Sequence, residues 1–337
     1  MPINIPNDLP AKAVLNSEQV FVMTEERSCH QDIRPLNLLF LNLMPKKINT
    51  EIQYMRKLSN TPLQVNITLL RVDDHISKNT PQSHMDNFYK EFEDIKDQRF
   101  DGMIVTGAAL DQTEFKDVTY WEKLEKILLW SSKNVTSTLF SCWGVAAALK
   151  VFYGIDIIFR EDKLSGIYNI RLSDEVDTLT RGFDDVFQAP ISRYCDFPLD
   201  IIKKKTDIKA LASSDEIGLY LGVSNDGRQV YVSGHPEYDV DTLLHEFTRD
   251  TDAGKNPKIP VNYFPDNDPL KAPKCTWRGH DERLRNKPSE RIPPVRGLSE
   301  SAFNADLRYG FGRGWQRKTS FEQFGNGSSK GETEQNC

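Results

Sequence analysis

The chain is short of cysteine. It has five, at Cys29, Cys142, Cys195, Cys275 and Cys337, odd in number and irregularly spaced. That argues against a disulfide framework and suits a reducing cytoplasm, where the protein is expected to reside. Neither CxxC nor HxxxH spacing occurs, so no metal site is expected. No apolar run approaches the roughly 20 residues that span a bilayer. The first stretch, MPINIPNDLPAKAVL, lacks the charged and apolar regions of a signal peptide. There is no dense basic stripe and the net charge is −6, which argues against nucleic acid as a partner. No internal repeat is visible. What is present is ordinary for a soluble protein with a core: 337 residues, 38% hydrophobic and 27% charged.

Hydropathy patterning predicts an alternation in the first half. Leu36–Leu43, Val65–Val72, Asp101–Val105 and Val135–Leu139 have the length and apolar content of buried strands. Helices are predicted over Thr50–Leu58, His84–Ile95, Tyr120–Ser131 and Val145–Lys150. Such alternation implies an α/β fold: a flavodoxin-like, mostly parallel sheet flanked by helices. Sites in such sheets form at the carboxyl ends of the strands. Lys46-Lys47, Gly107–Asp111 and Cys142 all fall at predicted strand ends. Met1–Leu15, polar with three prolines, is expected to be an arm on the surface. The second half is expected to hold shorter strands over Lys163–Leu172, Ile208–Ala212, Ile217–Val223 and Gln229–Ser233. A helix at Thr242–Thr248 and a loop at Lys255–Pro273 follow.

The chemistry concentrates at VTSTLFSCWGV, residues 135–145. A cysteine between a buried strand and a helix start stands at a sharp turn, beside free N–H groups and the positive dipole end. That setting lowers a thiol's pKa and favours the nucleophilic thiolate. Taken alone, Cys142 could equally be an inert buried thiol. Gly234-His235-Pro236-Glu237 follows another predicted strand and holds the parts of a base and its orienting carboxylate. One cysteine with a distant histidine is the recurring thiol-nucleophile arrangement. Cys29-His30 is discounted, because neighbours in the chain have poor geometry for a dyad, and Cys195 is expected to serve packing.

Longer stretches carry a resemblance. PLNLLFLNLMPKK (35–47), FDGMIVTGA (100–108), TSTLFSCWG (136–144), KLSGIY (163–168), LTRGFDD (179–185), SRYCDFP (192–198), GHPEYD (234–239) and NYFPDNDP (262–269) resemble the homoserine O-acyltransferases of methionine biosynthesis. These have the class I glutamine amidotransferase-like fold. The resemblance covers roughly residues 1–280. It implies acyl transfer from an acyl-coenzyme A to the hydroxyl of L-homoserine, through an acyl-cysteine and with no bound cofactor. It also implies small-molecule partners only, with a homodimer possible. Cys142 resembles the nucleophile, His235 the proton acceptor and Glu237 its carboxylate partner. Lys163, Ser192 and Arg249 match substrate-binding positions. Lys47 matches a position near the site, where it could stabilise the oxyanion or bind donor phosphate. The N–H of Trp143 is the natural oxyanion donor, and the Gly107–Leu110 loop could supply another.

The donor is expected from position 111, where the family carries an acidic residue with acetyl donors and Gly with succinyl donors. Asp111 therefore implies acetyl-coenzyme A, and the physics agrees in sign. A carboxylate facing the acyl pocket repels the far carboxylate of a succinyl group. Asp is shorter than the usual Glu, and Ala109 stands where the family has Pro. Two rivals are weighed against this. A glutamine amidotransferase subunit would carry Gly two residues before the nucleophile, where this chain has Phe140. An inactive relative is suggested by residues 281–337, a divergent polar tail expected to be disordered. The abrupt change there favours an altered reading frame over lineage divergence.

Overall fold

The computed structural model describes residues 3–18, 20, 22–24, 34–59, 63–72, 79–174 and 177–278. The expected polar tail and the Cys29-His30 pair lie outside them. Among the described residues, twelve strands form one sheet. Its centre is built from β1 (Ile3–Ile5), β3 (Leu36–Leu41), β4 (Val65–Leu70), β6 (Phe100–Val105), β7 (Val135–Ser141) and β12 (Gln229–Val232). These run parallel in the order β1-β4-β3-β6-β7-β12. The two-residue strands β2 (Met23–Thr24) and β5 (Tyr89–Lys90) add to β1 and β4. Beyond β12 the sheet turns antiparallel. There it runs through β11 (Gly218–Val223), β10 (Lys209–Ser214), β8 (Ile158–Leu172) and β9 (Val186–Asp196).

Strand alternation explains why helices cover both faces. Phe40 points into one core with Tyr54 and Met55, which lie on α2 (Lys47–Leu58). Its neighbours Leu39 and Leu41 enter a second core. That core also takes Leu124, Ile127 and Leu128 of α5 (Trp121–Asn134) and most of the apolar α6 (Trp143–Tyr153). A third, smaller cluster joins Ile167, Tyr238, Leu243, Tyr263, Phe264 and Trp277. Leu243 belongs to α8 (Thr242–Asp252), so this cluster packs the expected loop over 255–273 against that helix.

Three expectations are corrected. Over the described residues 3–15 the segment is not a surface arm. Ile3–Ile5 pairs with β4, α1 (Ala11–Ser17) packs on the sheet, and Ile3, Ile5, Leu9, Ala11 and Leu15 are buried. Few apolar residues suffice because these five face the core. The segment expected as one helix over His84–Ile95 is two. Helix α3 (Gln82–Phe88) stops where Tyr89 turns extended. A capping box between Glu91 and Asp94 then starts α4 (Phe92–Ile95) afresh. Finally, β9 and the helix α7 (Leu199–Lys205) arise where no element was expected. Ser192 therefore sits on a strand.

Helix α6 lies hard against the end of β6, and Gly144 permits it. A Cβ at this position would stand 2.9 Å from the Thr106 carbonyl oxygen and 3.0 Å from that of Val105. Neither backbone oxygen can yield without moving a core strand. Gly144→Ala is expected to lower stability by about 1–3 kcal/mol, the usual cost of overpacking. Urea unfolding checks this; an unchanged midpoint would contradict the close fit.

Candidate active site

The carboxyl ends of four neighbouring strands, β3, β6, β7 and β12, make one rim. From β7 the chain enters α6 through Cys142, whose φ of 49° and ψ of −115° are rare for a residue with a side chain. Such a conformation costs about 1–3 kcal/mol and persists only where its surroundings enforce it. They do so here: the Cys142 N–H donates to the Val232 carbonyl at 2.9 Å, continuing the β7–β12 pairing, and its own carbonyl accepts from Val145. The thiol is thus presented above the sheet at the start of α6. It is 4% exposed. Gly107, at the end of β6, closes on the same spot. A Cβ there would lie 3.1 Å from Cys142 Cβ and 3.6 Å from His235 Cε1.

His235 follows β12, held by its N–H to the Pro190 carbonyl of β9. Its Nδ1–H donates to Glu237 Oε1 at 2.6 Å, and both side chains are buried. That bond fixes the tautomer and leaves the other ring nitrogen for the Cys142 sulfur. Burial pulls the His235 pKa down. The negative charges and hydrogen bonds of Cys142 and Glu237 outweigh it and hold the pKa well above the ordinary value. The arrangement sets a cysteine sulfur against an imidazole that a carboxylate backs.

A second group of polar side chains lies beside this pair. Lys163 of β8 donates to Glu246 of α8 at 3.0 Å and lies 3.6 Å from Asp250. The Ser192 hydroxyl donates to the same Glu246 oxygen, and the Tyr238 hydroxyl donates to the other at 2.8 Å. Burial alone would raise the Glu246 pKa, but the Lys163 charge and three hydrogen bonds hold it below the usual carboxylate value. Arg249, one turn on, pairs with Asp250 at 2.9 Å and keeps most of its guanidinium in solvent. Of the expected substrate residues, Lys163 and Ser192 therefore meet at Glu246, and Arg249 joins through Asp250. Glu246, Tyr238 and Asp250 were missed. For Glu246 and Asp250 the signal was the run Glu246-Phe247-Thr248-Arg249-Asp250, whose charges fall three and four residues apart on one helix face, while Tyr238 lies in the GHPEYD stretch.

Asp111 binds inside β9 where its pairing with β8 is irregular: its carboxylate accepts the Tyr194 N–H, two residues from Ser192. Cys195 is fully buried in the second core, and burial pushes its thiol pKa up strongly, as a packing residue's would be. Trp143 is fully buried and opens α6, where a first-turn N–H has no partner within the helix. Lys47 opens α2 and donates to the carbonyls of Asn42 at 2.6 Å and Met44 at 3.5 Å, bracing the loop after β3. Behind it lies a buried chain of Asn42, Tyr89, Glu51 and His84.

Against this geometry the comparisons are decisive. The family model described as homoserine O-succinyltransferase matches residues 2–287. The chain belongs to that family. The match runs past residue 280, where the resemblance in the sequence stops. A protein of Succinatimonas hippei named homoserine O-acetyltransferase is 65% identical over 284 residues, 84% of this chain and 94% of its own length. Proteins named homoserine O-succinyltransferase are 56% identical in Tolumonas auensis and 55% identical in Yersinia pestis. These alignments also cover 84% of this chain, and 90% and 92% of theirs.

Among solved structures, SMU.1228c is similar with a TM-score of 0.51 at 15% identity, over 76% of this chain and 99% of its own. A glutamine amidotransferase of Thermotoga maritima has a TM-score of 0.48 at 13% identity, over 77% and 95%. The likeness to SMU.1228c concerns the fold alone. The α/β architecture itself, a mostly parallel sheet flanked by helices, is the expected one. Among its described residues no helix is long and apolar enough to cross a membrane.

Proposed function

We propose that the protein transfers the acetyl group of acetyl-coenzyme A to the hydroxyl of L-homoserine, through an acyl-cysteine on Cys142. The family supports homoserine O-acyltransferase activity, and the paired thiol and imidazole supply the chemistry. The Cys142 thiolate attacks the thioester carbonyl. The Trp143 N–H and the loop after β6 stabilise the oxyanion. The tetrahedral adduct collapses with loss of coenzyme A, whose sulfur takes the proton from His235. Exchange of one thioester for another is nearly isoenergetic, which suits a thiol nucleophile to this donor.

Acylation also prepares the second step. Once Cys142 is a thioester, its negative charge is gone, and with it a main cause of the raised His235 pKa. The imidazole, now neutral, takes the homoserine hydroxyl proton while the oxygen attacks the acyl carbon. Collapse expels the Cys142 thiolate and restores the ion pair. Arg249 offers its planar fork to the amino acid's carboxylate. Glu246, with Ser192 and Lys163 about it, takes the ammonium end.

The observation that carries the acetyl donor is the placement of Asp111, its carboxylate fixed on β9 beside Ser192. A succinyl group would bring a second carboxylate towards it. The relative named an acetyltransferase supports this choice; those named succinyltransferases support only the shared half of the reaction. Wild type is expected to have the higher kcat/KM with acetyl-coenzyme A. Asp111→Gly is expected to shift the ratio of the two donors by at least about tenfold towards succinyl-coenzyme A, a 1.4 kcal/mol effect. Faster use of succinyl-coenzyme A by the wild type, with no change in the variant, would overturn the assignment. The same proposal takes residues 1–280 as the catalytic unit of a cytoplasmic enzyme without a resident cofactor, and leaves room for a homodimer.

A further inference from the structure

Tyr238 occupies a place that neither half of the reaction accounts for. Its ring stacks on His235, with centroids 4.2 Å apart and planes 17° from parallel. Its hydroxyl donates to Glu246 Oε1 at 2.8 Å. Its N–H donates to the His235 carbonyl at 3.1 Å. Its own carbonyl accepts from Trp277 Nε1 at 3.2 Å. The side chain is 6% exposed and packs in the third cluster with Ile167, Leu243 and Tyr263. The ring is therefore held at its backbone, on its face and at its tip.

We propose that Tyr238 is a positioning residue that joins the catalytic imidazole to the charged subsite around Glu246. It makes the placing of homoserine and the placing of His235 one event. This rests on the proposed function, with Glu246 taking the ammonium end of the acceptor. Glu237 sets the rotation of the imidazole within its plane, through Nδ1. Tyr238 sets the tilt of that plane, because two stacked rings tilt together. The Tyr238 hydroxyl also holds Glu246 Oε1, while Ser192 and Lys163 both bind Oε2. A carboxylate gripped at both oxygens presents a fixed acceptor to an incoming ammonium group. An aromatic face against the imidazolium further favours the charged resting state.

The proposal separates the ring from the hydroxyl, and two variants test it by half-reaction. Acyl-enzyme formation from acetyl-coenzyme A is followed by quenched-flow mass spectrometry, and discharge by homoserine is followed on the acylated protein. Tyr238→Phe keeps the stack and loses the bond to Glu246. It is expected to acylate within about twofold of the wild-type rate, and to need about tenfold more homoserine for half-maximal discharge. That is the size of one hydrogen bond to a charged group. Tyr238→Leu loses both contacts and is expected to slow acylation as well, by about tenfold or more. Equal slowing of both half-reactions by Tyr238→Phe would mean a merely structural role and overturn the proposal. So would an unchanged homoserine requirement in Tyr238→Phe. If Tyr238→Leu does not fold, Tyr238→Phe decides alone. Failure of the proposed function is distinct, because the wild type would then form no acyl-enzyme.

Discussion

Cys142→Ala is expected to lower turnover at least about 10⁴-fold, the scale on which loss of a nucleophile acts. It should also abolish the acyl adduct. The backbone around this residue explains the size. The chain accepts a φ of 49° at a residue with a side chain in order to lift one sulfur atom over the rim. No neighbouring group can replace it. Cys195 is the alternative thiol, but it is fully buried in the second core and held as the neutral form. Cys195→Ala should therefore keep the adduct. Cys142→Ser places a hydroxyl at the same elbow, and a hydroxyl does not ionise beside an imidazole as a thiol does. It too should fall by several orders of magnitude. Intact-protein mass spectrometry and steady-state rates on the three variants check this. An adduct persisting in Cys142→Ala, or vanishing in Cys195→Ala, would place the nucleophile elsewhere.

Glu237→Gln is expected to cost about 10²–10⁴-fold in turnover and to move the alkaline limit of acylation to lower pH. Burial pulls the His235 proton off, and the negative charges of Cys142 and Glu237 put it back with force to spare. In the wild type the imidazolium survives well above pH 6.5. Acylation, which needs that proton for departing coenzyme A, should hold there and decline as pH rises through the raised pKa. Removing the Glu237 charge removes part of what opposes burial, so the proton leaves at lower pH. Stability follows the same sign. A raised histidine pKa stabilises the fold fully below the unfolded value and loses that contribution as pH rises through the folded one. The alkaline fall in stability should thus also begin earlier in Glu237→Gln. Glutamine keeps the size of the side chain, so an unmoved alkaline limit would mean that Glu237 does not set the state of His235.

How far the sequence discloses this site depends on how local each signal is. The elbow is local: an apolar run, then Ser141-Cys142-Trp143-Gly144, then a helical run, and each of these does in the structure what its residue types imply. His235 and Glu237 are two residues apart and after a strand, so their partnership is legible too. Sheet pairing is not local. Nothing in Val186–Asp196 alternates cleanly, and Pro190 interrupts it. Its role appears only once β8 supplies a partner and the Pro190 carbonyl meets His235. Ile3–Ile5 escapes for a similar reason, being three residues among prolines that gain their place from β4. Tyr238 sits in the GHPEYD stretch and Glu246 on the expected helix, yet their meeting depends on where α8 packs. Arg249 was found through the resemblance, and it is Asp250, its neighbour, that ties it to Lys163.

The most direct test of the account is the mass of the intact wild-type protein after mixing with acetyl-coenzyme A, and again after adding L-homoserine. The account predicts one acetyl-sized increment that peptide mapping places on Cys142, and its loss on adding homoserine with release of O-acetylhomoserine. A folded wild-type protein that gains no increment would contradict it, as would an increment that homoserine leaves in place.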